Sequence, residues 1–233
     1  MNEYLDHLEK TFRSNANPEK AAEMERYMKN KFPFLGIPSP ERRAISRPFL
    51  GKETRPHYNQ LFEHCLFLWA QPEREFQYFA LDLAQKYLNK LEAECLDMME
   101  RMVVDKPWWD TVDLIASTLM GAYFKKYPKE APGKSKEWIA SGNIWLQRCA
   151  LLFQLKYKNE TNASLLFDNI RKLLGSQEFF INKAIGWALR QYSKFEPNEV
   201  RSFVQIEKSR LAPLSKREAS KYIYIKSIIK LHI

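Results

Sequence analysis

The chain has 233 residues, 45% of them hydrophobic, 28% charged and 14% aromatic, which excludes a disordered polymer and allows a substantial core. No apolar run approaches the roughly 18–20 residues that a bilayer span requires, Cys65–Ala70 being among the longest. The net charge of +9 is one-sided: residues 1–144 hold 21 basic and 21 acidic side chains, whereas residues 145–233 hold 16 and 7, a distribution that attracts polyanions unless it is merely a soluble basic surface.

The N-terminus, MNEYLDHLEK, mixes acids and bases from its third residue and carries no apolar core for export, so a cytoplasmic protein is expected. Seven glycines are few for a fold built on tight turns, which favours helices. Arg74–Leu91 predicts one long amphipathic helix, with Phe76, Phe79, Ala80, Leu83, Ala84, Tyr87, Leu88 and Leu91 on one stripe. In Asp105–Met120, Asp105 and Pro107 mark a helix start and Trp108, Val112, Ile115 and Leu119 form its apolar stripe. Trp109 and Asp113 then share a second face one turn apart, either as a wall and a working acid or as a covering aromatic and a solvated one.

Arg148 is a charge in apolar company within Ile144–Tyr157 and needs a carboxylate or phosphate partner. In the helix over 178–192, Ile181, Ile185, Leu189 and Tyr192 supply the core stripe, and Lys183, Trp187, Arg190 and Lys194 fall on another face. An indole among cations suits a nucleic-acid surface, or equally a half-buried ring under snorkelling bases. The nearest thing to a strand is YIYI at 222–225.

Breaks at Pro38/Pro40, Pro72, Pro107, Ser141/Gly142, Ser176 and Pro213 cut the chain into units of about 35 residues. One register runs Arg42, Gln77, Asp113, Arg148, Lys183, Arg217, with steps of 35, 36, 35, 35 and 34. The expected fold is all-α: one domain over 1–233, a single curved solenoid of about six HEAT- or armadillo-like repeats with a basic concave face. The thirty-five-residue step makes Arg148 and Asp113 neighbours across a groove, whether as a purely structural ion pair or as a working one. Cys65, Cys95 and Cys149 are too dispersed for a disulfide framework or thiolate zinc site, and the four histidines lack metal-ligand spacing. Gly133-Lys134-Ser135 ends like a phosphate-binding loop, but Pro128 replaces its first glycine and no strand leads in.

The blocks ERYMKNKFPFLGIPSPERR (25–43), PEREFQ (72–77), KPWWDTVD (106–113), WIASGNIWLQRCALLFQLKYK (138–158), EFFINKAIGWALRQY (178–192) and LAPLSKREA (211–219) together resemble the AlkD family of bacterial DNA glycosylases, helical-repeat enzymes that excise alkylated purines. The resemblance implies Asp113 as the catalytic carboxylate, Trp109 and Trp187 as aromatic walls of the cleft, and Arg148 as an essential DNA contact. It further implies Tyr27, Ser39, Arg43, Lys156, Lys183 and Arg190 as backbone-binding or groove-lining positions; Ser39 stands where the family is expected to carry threonine. The implied substrate is double-stranded DNA holding 7-alkylguanine or 3-alkyladenine, engaged through sugar and phosphates without a deep base pocket, by a monomer needing no metal or other cofactor and no membrane.

A purine alkylated at N3 or N7 leaves as a neutral molecule from a cationic state, so one carboxylate suffices to stabilise the oxocarbenium-like sugar and to direct water. Two other readings remain on the sequence alone: a DNA-binding paralogue with lost or altered excision, and a HEAT-like scaffold for an acidic protein partner.

Overall fold

The computed structural model describes residues 3–223, and all regular structure among them is helical. Of the YIYI segment, Tyr222 and Ile223 belong to a helix, while residues 224 and 225 lie outside the described residues. No helix among the described residues is long and apolar enough to cross a membrane. The chain packs as two compact units, one up to Met98 and one from Met99 onward.

The first unit contains α1 (Glu3–Ser14), α2 (Pro18–Tyr27), α3 (Ser39–Ser46), α4 (Leu61–Ala70), α5 (Arg74–Gln85) and the start of α6 (Cys95–Val104). Its core is aromatic: Phe12 stacks on Phe76 at 5.4 Å and meets Phe79 edge-on at 5.8 Å. Asn17 caps α2 by accepting from the Lys20 amide, and Pro18 supplies a first helical residue that needs no amide partner. The loop into α3 is tied down by the buried Glu75 carboxylate, which accepts from the backbone amides of Leu35, Gly36 and Ile37 at 2.9–3.0 Å. Gly36 sits there at φ +84°, where a Cβ would lie 2.0 Å from the Asn17 carbonyl oxygen, so only glycine fits.

The helix expected over Arg74–Leu91 stops at Gln85. The Lys86 and Tyr87 amides tighten onto Leu83 and Ala84, the Tyr87 hydroxyl donates to the Pro56 carbonyl, and a 3-10 turn, Leu88–Lys90, follows. The predicted stripe is still buried, apart from the half-buried Leu88.

The second unit holds α7 (Trp109–Leu114), α8 (Gly121–Lys126), α9 (Ala131–Ala140), α10 (Ile144–Leu152), α11 (Ala163–Leu173), α12 (Phe179–Tyr192), α13 (Pro197–Ile206) and α14 (Pro213–Ile223). A π-helical segment, Ile115–Met120, joins α7 to α8. The expected helix start at Asp105 shifts to Trp109, because the Asp105 amide still closes on Arg101 of α6, Lys106 adopts φ +50° and Trp108 is extended. Trp108 is therefore a cap residue packed against Trp145 and Phe180 at 5.6 and 5.1 Å, while Val112, Ile115 and Leu119 are buried as the stripe predicts.

The repeat is visible in the helix starts: α3, α5, α7, α10, α12 and α14 begin at Ser39, Arg74, Trp109, Ile144, Phe179 and Pro213, each 34 or 35 residues after the last. Asp113, Arg148, Lys183 and Arg217 are each the fifth residue of their helices. Arg42 and Gln77 are the fourth, and one residue is a 100° turn. Both therefore point inward: Arg42 is ion-paired to Asp82, and Gln77 donates to the carbonyls of Trp69 and Gln71. The equivalent outward positions are held by Arg43 and Tyr78.

Candidate active site

Four helices of the second unit converge on a cleft of about 510 Å³. α7 brings Trp109 and Asp113, α10 brings Arg148, α12 brings Lys183, Trp187 and Arg190, and α14 brings Arg217, Glu218 and Lys221. The apolar stripe of α12 explains the placement on that helix: Ile181, Ile185 and Leu189 are at most 1% exposed, which turns Lys183, Trp187 and Arg190 to the other side. Close approach of α14 depends on Gly186, where a Cβ would lie 2.8 Å from the Glu218 Cβ and 3.0 Å from the Ser215 Cα.

Asp113 and Arg148 form a bidentate pair. Arg148 Nε donates to Asp113 Oδ1 at 2.6 Å and Nη2 to Oδ2 at 2.9 Å, while Nη1 donates to the Phe180 carbonyl. The guanidinium side chain is 1% exposed and the aspartate 16%, so the carboxylate faces the cleft with the arginine behind it. The planar fork fixes both carboxylate oxygens in one orientation, which a lysine does not do. Ser117 of the π segment donates to the Asp113 carbonyl at 2.6 Å, and π insertions recur at functional sites. The neighbouring Cys149 is fully buried, and burial pushes its thiol well above the ordinary range, so it is no nucleophile.

The far wall is basic but contains a second carboxylate. Glu218 accepts from Arg190 Nη1 at 2.6 Å and from Lys221 Nζ at 2.8 and 3.0 Å. Lys221 foremost, with Arg190, holds the Glu218 carboxyl below the usual carboxylate range. A depressed folded pKa stabilises the fold above the ordinary carboxylate pKa, and this contribution disappears as pH falls through the depressed value. Glu218→Gln is thus expected to lower Tm at pH 7, with a deficit that shrinks as pH falls below the ordinary carboxylate range, as read by thermal melts from pH 7 across the acid range. An equal deficit at both ends would mean that packing, not charge, is what Glu218 supplies.

The aromatic residues complete the enclosure. Lys183 Nζ stands 5.6 Å from the centroid of Phe179, a ring 56% exposed at the start of α12. The indole N–H of Trp187 is buried without an acceptor among the described residues.

Of the residues singled out from the sequence, Trp109, Asp113, Arg148, Lys183, Trp187 and Arg190 share this cleft. Lys156 belongs to the same unit but is not a cleft residue; its ammonium donates to Thr118 Oγ1 of the π segment at 2.6 Å. Tyr27, Ser39 and Arg43 belong to the first unit: Tyr27 ends α2 with its ring 69% exposed, Ser39 opens α3, and Arg43 lies one turn further on, both of them exposed. Glu218, Lys221 and Phe180 escaped notice in the sequence. Glu218 follows Arg217 of the repeat register and is one of only seven acids after residue 144, a signal that could have pointed to it.

A family model described as DNA alkylation repair enzyme matches residues 8–223. No curated protein matches the chain. Among solved structures, a predicted DNA alkylation repair enzyme from Enterococcus faecalis is 39% identical with a TM-score of 0.81, covering 90% of this chain and 97% of that one. The chain belongs to the family of DNA alkylation repair enzymes.

Proposed function

We propose that this protein is a monofunctional DNA glycosylase that hydrolyses the N-glycosidic bond of cationic alkylated purines, of the 7-alkylguanine and 3-alkyladenine kind, in duplex DNA. The observation that carries this reading is the Asp113 carboxylate, gripped by Arg148 and opening into a cleft lined by Trp109 and Trp187. Positive charge develops on the sugar as the base departs, and a fixed anion beside it lowers that barrier without reorganising. The same carboxylate orients the attacking water and receives its proton, and the indole faces favour the cationic nucleotide through their ring quadrupoles.

Arg148 lines the cleft and holds Asp113 from behind, and its role as an essential DNA contact is proposed to act through the carboxylate it orients, since its own side chain is 1% exposed. Lys183 and Arg190, with Tyr27, Ser39, Arg43 and Lys156, are proposed to bind backbone phosphates.

The substrate class is read from the carboxylates that line the cleft. Beside Asp113, the other carboxylate among the described cleft-lining residues is Glu218, held by two cations in its charged form and so unsuited to protonating a leaving base. Duplexes bearing a single 7-methylguanine or a single uracil test this directly. Abasic sites are expected in the first and at background level in the second; equal excision of uracil overturns the substrate class, and none from 7-methylguanine overturns the glycosylase.

A further inference from the structure

The first unit contains a recess of about 540 Å³ between α3, the 3-10 turn Arg47–Leu50 and the C-terminal end of α5. Three cations line it: Arg43 and Arg47, one turn apart, and Lys86, the C-cap residue that follows α5. None has a carboxylate partner among the described residues, although like charges at this spacing repel. The one acid in the lining, Asp82, is already paired with Arg42 at 2.5 Å.

Ser46 lines the same recess and is 1% exposed, yet its hydroxyl has no hydrogen-bond partner among the described residues. Helical serines that are buried or half-buried elsewhere in this protein use the hydroxyl: Ser117, Ser135 and Ser220 each donate to the carbonyl four residues back, at 2.6 to 2.8 Å. Ser46 does not turn to Arg42 in that way. A buried donor without a partner, set among uncompensated cations, fits a tetrahedral oxyanion.

We propose that this recess is a phosphate-binding site in which Arg47 and Lys86 hold, and the Ser46 hydroxyl hydrogen-bonds, a backbone phosphate of duplex DNA. The proposal rests on the DNA-repair reading above and assigns Ser46, Arg47 and Lys86 to the DNA-binding surface.

Anisotropy titrations of an undamaged duplex at several salt concentrations provide the test. Arg47→Ala/Lys86→Ala is expected to weaken affinity about tenfold and to flatten the log–log salt slope by about one, the share of one neutralised phosphate. The charge-matched control Lys10→Ala/Lys90→Ala is expected to bind like wild type. Ser46→Ala should weaken binding about two- to threefold while keeping or raising Tm, because it removes an unsatisfied buried hydroxyl. An unchanged slope in Arg47→Ala/Lys86→Ala, or an equal loss in the control, overturns the site, and a lowered Tm in Ser46→Ala removes the hydroxyl from it. Inorganic phosphate, titrated by calorimetry, separates the sources: phosphate binding abolished by Arg47→Ala/Lys86→Ala with DNA affinity intact assigns the recess to a free phosphoanion and overturns the backbone assignment. If wild type itself shows no salt-dependent DNA binding, the DNA-repair reading falls; if wild type binds and the double variant matches it, the recess alone falls.

Discussion

Asp113→Asn is expected to lower excision of 7-methylguanine by about 100- to 1,000-fold, the usual cost of losing one preorganised electrostatic group at a developing charge. Duplex affinity should stay within a few-fold, because the substitution is isosteric and the cations of the cleft are untouched. The effect is expected in single-turnover rates at saturating enzyme, which isolates the chemical step from binding. An asparagine at this position retains one carbonyl acceptor for Arg148 and turns its amide toward the other guanidinium nitrogen, so some stability is lost as well. Circular dichroism at the assay temperature separates that loss from the catalytic one. Folded Asp113→Asn that excises at the wild-type rate would remove the carboxylate from the mechanism.

Much of this site was legible because helical repeats translate sequence spacing into spatial neighbourhood. Asp113 and Arg148 stand 35 residues apart at the fifth position of successive cleft helices, so the register alone makes them partners. The stripe of Ile181, Ile185 and Leu189 likewise turns Trp187 away from the core. Register fails where one residue decides a direction, as with Arg42 and Gln77, whose burial follows from standing one position before the outward one. It is also silent on backbone detail. The π segment after Asp113 has no compositional mark, and the delayed start of α7 depends on the Lys106 and Trp108 dihedrals. Glu218 was obscured for a different reason: an acid among cations reads as an ordinary surface residue until Gly186 lets α14 close on α12 and Arg190 and Lys221 meet on one carboxylate.

Arg148→Ala is expected to cost about 3–5 kcal/mol of stability, the range for removing one partner of a buried ion pair, since it strips the Phe180 carbonyl of its donor and leaves a cavity behind Asp113. It should also weaken duplex binding and reduce excision by a factor comparable to Asp113→Asn. The informative comparison is the double variant. If Arg148 acts on catalysis by holding Asp113, removing both costs little more than removing the aspartate alone, and the cycle shows a large coupling energy. If the two serve separate steps, the losses in single-turnover rate multiply. Arg148→Lys sharpens the distinction: it restores charge, and hence part of the stability and DNA affinity, but lacks the fork that engages both oxygens, so excision should remain low. Recovery of excision in Arg148→Lys would show that charge behind Asp113 is sufficient and that the bidentate geometry is dispensable.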